Sequence, residues 1–282
     1  MKKPTQLEES KVWRIPELAG LEMLRAKYVS QNFSLHFHRR YAIGVIEKGA
    51  LGYYYRGGNH IAQQGHVNLC IPGEVHNGHS VTEAGWTYRM FYLDPKLLQQ
   101  AATEVAGRPA ELPFFQAGVI HDNELAQSIR HLHIKLEQQD TPLLEQESLL
   151  IWTFGNMILR HADAPPSWVN LGKEHEAVAQ IKEYIESNFA QDISIDDLTR
   201  ITHLSRFHLI RVFRDSVGIP PHAYLRQVRI QRARDMFFSG KSISEIALAT
   251  GFADQSHLTR WFKRLWGYTP GQYSNSVQDS LI

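Results

Sequence analysis

Twelve Arg and Lys side chains fall between Leu198 and Tyr273 against four acids, so this stretch carries +8. The whole chain carries +1, which leaves −7 for everything else. Guanidinium and ammonium groups gathered in this way offer donors to phosphate oxygens, and the asymmetry points to a polyanion partner at the C-terminal end. On charge alone, a solvated basic face accounts for it equally. A second set of chemistry-bearing residues lies far upstream, in His36-x-His38 and in Pro72-Gly73-Glu74-Val75-His76. Three imidazoles could bind a divalent ion. The lone cysteine, Cys70, sits in an apolar run and reads as core; with no second cysteine, an internal disulfide is ruled out.

The elements that must position the basic residues repeat. SIDDLTRITHLSRFHLIRVFRDSVGIPPHAYL (194–225) parallels SISEIALATGFADQSHLTRWFKRLWGYTPGQYS (242–274). Ser194 aligns with Ser242 and Asp197 with Glu245; after one extra residue, His208 aligns with His257 and Arg211 with Arg260. Ser194-x-x-Asp197 and Ser242-x-x-Glu245 are capping-box signals, each opening a short helix. Its apolar side is Ile195, Leu198 and Ile201, or Ile243, Ile246 and Ala249. A sharp turn is expected at His203 or Gly251, then a second helix from near Ser205 or Asp254. That helix buries Leu209, Val212 and Phe213, or Leu258, Trp261 and Phe262, and turns polar side chains outward. This is the helix-turn-helix pattern, with an all-α bundle of repeated hairpins as the alternative.

The segment GKSISEIALATGFADQSHLTRWFKRLWGYTPGQYS resembles the signature of the AraC/XylS regulators, across roughly the last hundred residues. The resemblance implies an all-α domain with two readers joined by a long helix, here about Pro221–Phe238. Its implied target is double-stranded DNA, met in two successive major-groove segments about one turn apart. It places Ser205, Arg206, Phe207, His208, Ile210 and Arg211 on the first recognition helix. On the second it places Asp254, Gln255, Ser256, His257, Thr259, Arg260 and Lys263. Arg206, Arg211, Gln255 and Arg260 are expected to read bases, since Arg suits guanine and Gln suits adenine. Thr259, Lys263 and Arg264 are expected to hold phosphates. Ile210 is expected on the exposed face, and His208 and His257 in helix packing.

Upstream, residues 33–95 read as short strands punctuated by Gly and Pro, as in YAIGVIE, LGYYYR and HVNLCIP. Tyr53, Tyr54 and Tyr55 read as alternating sheet faces. Leu125, Ile129, Leu132 and Leu136 then recur at helical spacing, and residues 143–161 continue with Leu149, Trp152, Ile158 and Leu159. Pro165, Pro166 and Gly172 mark a linker, after which Val178, Ile181, Ile185 and Phe189 resume a helix. Residues 20–100 resemble the sensor domain of the same family through His36-x-His38, Gly65 and Pro72–His76. The fold class implied is multidomain: an N-terminal cupin-like β-barrel with flanking helices, and a C-terminal all-α domain with two helix-turn-helix motifs. The expected boundaries are 1–165, a linker at 166–175, and 176–282.

Such a barrel implies a small effector inside it, with His36, His38, Arg40, Glu74, His76, Trp86, Tyr88 and Met90 as candidate contacts. No cofactor and no metal are expected. Metal-bearing cupins supply a carboxylate four residues after the second His, where this chain has Ala42. The implied function is a sequence-specific DNA-binding transcription regulator under effector control, not an enzyme; the rival is a cupin-type metal enzyme tethered to DNA. A homodimer through residues 121–161 is expected, with RNA polymerase as a further partner, and activation or repression is open. The N-terminal arm (1–15) either covers the barrel mouth or touches the DNA-binding domain. No apolar run follows MKKPTQLEES and none approaches a membrane span, so a cytoplasmic protein is expected.

Overall fold

The computed structural model describes residues 8–18, 21–138, 140–165, 175–237, 239–266 and 269–272. Residues 166–174 of the expected linker, residues 1–7 of the arm, and Phe238 lie outside them. By its contacts the chain divides into two units: Met1–Glu137 with Leu149–Val169, and Gln138–Ser148 with Asn170–Ile282. No described helix is long and apolar enough to cross a membrane.

The first unit is a strand assembly with helices. Its strands are β1 (Glu9–Ile15), β2 (Leu21–Tyr28), β3 (Asn32–His36), β4 (Tyr41–Tyr55), β5 (Gly58–Gln63), β6 (Val67–Cys70), β7 (His76–Ser80), β8 (Trp86–Leu93) and β9 (Val119–Ile120). The main path runs β1-β2-β8-β4-β6-β9, and β5 and β7 also pair with β4. The long β4 joins two sheets. Its first part, Tyr41–Gly49, pairs with β8 and β6, whereas Ala50–Tyr55 pairs with β5 and β7. A register shift between Ile46 and Lys48 marks the bend. Gly49 turns there at φ +71°, and a Cβ on it would meet the Gly85 carbonyl oxygen at 2.0 Å, so no other residue fits.

β structure begins earlier than the sequence suggests. Glu9–Ile15 pairs along its full length with β2, so these arm residues form a sheet edge. α1 (Pro95–Ala106) follows β8, and the sequence reading missed it although its signals are plain. Asp94 caps it, Pro95 opens it, and Gly107 closes it at φ 64°. α2 (Asn123–Glu137) buries Leu125, Ile129, Leu132 and Leu136, the expected stripe. α3 (Leu143–His161) buries Ile151, Phe154, Met157 and Ile158; Leu149, Trp152 and Leu159 are only half-buried.

The second unit contains α4 (His175–Asn188), α5 (Ile195–Thr202), α6 (Arg206–Val217), α7 (Pro221–Met236), α8 (Ile243–Ala249) and α9 (Gln255–Trp266). Both capping boxes form. Ser194 and Asp197 satisfy each other's backbone N–H at α5, as Ser242 and Glu245 do at α8. α6 then anchors itself through Leu209 and Phe213, both fully buried and worth roughly 1.5–3 kcal/mol each. α9 does the same with Leu258 and Phe262, packed with Ile230, Ala233, Ile246 and Phe252. α7 runs 16 residues, about 24 Å at 1.5 Å per residue, and spaces the two hairpins.

Candidate functional site

The turn that aims each second helix needs a left-handed residue. His203 takes φ 56° and Gly251 takes φ 79°. Beyond Gly251, the Asp254 carboxylate accepts from the His257 backbone N–H at 2.7 Å and caps α9. Gln255, Ser256, Arg260 and Lys263 then stand exposed and Thr259 half-exposed, a continuous polar face. α6 differs. Ser205 caps it, but Phe207, His208, Leu209 and Ile210 are all buried, Phe207 with 3% exposure and Ile210 with 1%. Two expectations are thereby corrected. Phe207 packs in the interior and Ile210 does not lie on an exposed face, because the start of α6 is covered on more than one side. His208 and His257 are buried, as their packing role requires.

Three of the expected base-reading arginines already hold carboxylates. Arg206 meets Asp196 at 2.7 Å, Arg211 lies 3.6 Å from Asp215, and Arg260 pairs with Asp140. Burial pushes the Asp140 carboxyl up, but the Arg260 guanidinium outweighs it and holds it below the ordinary carboxylate range. The Arg206 and Arg260 pairs are exposed and worth about 0–1 kcal/mol each, so a phosphate or a guanine edge can displace the carboxylate there.

Within the first unit lies a cavity of about 150 Å³. Side chains alternate along a strand, so β8 turns Trp86, Tyr88, Met90 and Tyr92 towards it in succession. β4 adds Ala42 and Tyr53, and β6 adds Asn68 and Cys70. His36 and His76 are cross-strand partners of β3 and β7, with His38 two residues further along. The three rings pack 4.5–4.9 Å apart between centroids. Burial, reinforced by His76 and His36 against the opposing pull of Glu22, drives the His38 imidazole down to about 4. Burial also lowers His76 and pushes the Cys70 thiol and the Tyr92 hydroxyl up to about 12. The cavity is therefore lined by neutral groups at pH 7 wherever a shift is resolved. Two of its polar atoms, Asn68 Oδ1 and Trp86 Nε1, are buried without a hydrogen-bond partner among the described residues.

The family model for the AraC-like ligand binding domain matches residues 18–151, and that for the helix-turn-helix domain matches residues 198–276. A probable AraC family regulator from Rhodopseudomonas palustris, known from its crystal structure, is 30% identical over 36% of this chain and 96% of its own, with a TM-score of 0.35. This chain belongs to the AraC family of transcriptional regulators. The HTH-type transcriptional regulator YbfI of Bacillus subtilis is 29% identical over 89% of this chain and 90% of its own length. The Msm operon regulatory protein of Streptococcus mutans is 30% identical over 36% of this chain and 37% of its own.

In this AraC-family chain, the structure brings six of the eight candidate effector contacts to one cavity: His36, His38, His76, Trp86, Tyr88 and Met90. It leaves two out. Arg40 pairs with Glu22 at 3.4 Å, and Glu74 lies 3.6 Å from Arg56, neither lining the cavity. Among the lining residues that sequence reasoning missed are Phe33, Asn68, Cys70 and Tyr92. Alternation along HVNLCIP and WTYRMFYL carried the signal for the last three. Tyr53 and Tyr55 are buried and Tyr54 is exposed, the expected alternation, yet Tyr53 also lines the cavity.

Proposed function

We propose that this AraC-type DNA-binding regulator is controlled by a small effector bound in the cavity between β8, β4 and β6. The observation that carries the reading is the pair of unpartnered buried polar atoms, Asn68 Oδ1 and Trp86 Nε1, in the cavity lining. A buried polar atom without a partner costs about 1–3 kcal/mol, and an effector that supplies the partner recovers that cost. The cavity's size sets the class. A void of roughly this volume accepts a ligand on the scale of benzene, so the effector is a small metabolite.

On the DNA side, Gln255 and Arg260 read base edges from α9, with Ser256, Thr259 and Lys263 at the backbone. α6 contributes Ser205, Arg206 and Arg211. The exposed polar face of α9 and the acidic partners of the arginines support these roles.

A thermal-shift screen of small metabolites against the full chain tests the effector reading. A binding metabolite raises the melting temperature, and Trp86→Phe abolishes that rise, read against the variant's own ligand-free melting temperature, which the lost buried indole volume lowers. A ligand whose effect survives both Trp86→Phe and Asn68→Ala binds elsewhere and overturns the reading.

A further inference from the structure

The three imidazoles at the cavity are more organised than packing requires. His36 Nδ1 lies 2.7 Å from the Ser34 carbonyl oxygen, and His76 Nδ1 lies 2.9 Å from that of Glu74. A carbonyl only accepts, so in both rings Nδ1 carries the proton and donates it. Each ring is thereby fixed in the tautomer that leaves the Nε2 lone pair free. Donating the second nitrogen to a backbone carbonyl is how metal-binding histidines are oriented. One ring nitrogen from each of His36, His38 and His76 lies within 4.8 Å of the other two. Nitrogens bound tetrahedrally at 2.0–2.1 Å stand about 3.3 Å apart, so the rings close by at most roughly 1.5 Å on binding.

We propose that His36, His38 and His76 bind one divalent transition-metal ion, whose remaining coordination position anchors an anionic effector. This rests on the reading of the cavity as the effector site and names the chemistry of what enters it. Three imidazoles suit zinc, cobalt or nickel and not magnesium or calcium, which demand oxygen ligands. Ala42 stands where metal-bearing cupins supply a carboxylate. Three histidines nevertheless make a complete protein share of a site that keeps one position open. Without that carboxylate the ion keeps its double charge. No lining residue among those described is acidic, and Glu22, which acts on His38, is held by Arg14 at 2.7 Å and Arg40 at 3.4 Å. A double positive charge held away from bulk water is stabilised by an anion beside it. The Trp86 Nε1–H offers a donor to the same ligand. The cavity therefore fits a small carboxylate.

The test uses the full chain, purified without a histidine tag, stripped with chelator and titrated with Co²⁺ or Zn²⁺ alone. One equivalent is expected to bind, Co²⁺ giving visible absorption bands that azide, a small anion, shifts. His38→Gln is expected to weaken binding at least tenfold, and His36→Gln serves where that variant does not fold. His121→Ala is the control, since His121 meets His66 at 3.2 Å and neither lines the cavity. It should bind as the parent does. Absence of saturable binding, or binding lost in His121→Ala and kept in His38→Gln, overturns the metal site. Bands that azide leaves unchanged overturn the anion anchor. The effector reading stands or falls separately, on the Trp86→Phe thermal shift.

Discussion

The two helix-turn-helix hairpins share one grammar and differ in what they show to solvent. Both open on a complete capping box and both bury a Leu and a Phe from the second helix. On α9, two of the first four residues are not needed for packing: Gln255 and Ser256 stand exposed, and His257 and Leu258 turn inward before Thr259 and Arg260 emerge. On α6, four consecutive residues from Phe207 to Ile210 are buried. Arg211 keeps only 18% of its side chain exposed, against 59% for Arg260. The turns differ in kind as well. At Gly251 a Cβ would sit 2.9 Å from the Arg229 guanidinium, which is fixed by the Phe189 and Gln191 carbonyls at 2.7 Å each. His203 takes the same left-handed conformation with its side chain exposed. A repeated motif thus conserves its hydrogen bonds and core while each copy is free to expose a different reading surface.

The largest effect expected is at the crowded turn. Gly251→Ala forces a side chain into positive φ, at about 1–2 kcal/mol, and drives it against a pinned Arg229. Together these should lower the unfolding free energy in urea by about 2–4 kcal/mol. A loss of no more than about 1–2 kcal/mol, the scale of strain alone, would remove the distinction between the turns.

Next comes the contrast in base reading. Arg260→Ala should weaken binding to a specific duplex roughly ten- to a hundredfold in fluorescence anisotropy, with the fold intact. Arg211→Ala should cost no more than about fivefold, since its guanidinium is mostly covered. Equal losses would make the two readers equivalent. Lys263→Gln should act uniformly on all sequences and reduce the slope of log affinity against log salt by about 1. The smallest effect is at the first turn. His203→Gly relieves the left-handed strain and should stabilise the chain by about 0.4–1 kcal/mol in the same urea titration.

Legibility in the sequence followed the physical origin of each feature. The capping boxes and the turn at Gly251 are local, set by residues three apart or by one backbone angle, and the repeat exposed them. The stripe on α2 is likewise local. What failed was burial decided from outside the element. Ile210 reads as a surface position by helical phase, yet other parts of the helical unit cover the start of α6. Glu9–Ile15 has weak strand character of its own and is held by pairing with β2. At the cavity, histidine types and strand alternation found His36, His38, His76, Trp86, Tyr88 and Met90. Arg40 and Glu74 fell away because each finds its own partner, Glu22 or Arg56, off the cavity. The orientation of His36 and His76 by the Ser34 and Glu74 carbonyls was invisible, since it depends on main-chain path.

The central claim, two readers of unequal stringency on one chain, is tested most directly by selecting bound duplexes from a random library with the purified full chain. The account predicts two half-sites about one helical turn, roughly 10 base pairs, apart. The half-site met by α9 should be the more sharply defined, and Arg260→Ala should blur that half alone. A single enriched segment, or two segments of equal definition that Arg260→Ala leaves unchanged, would contradict it.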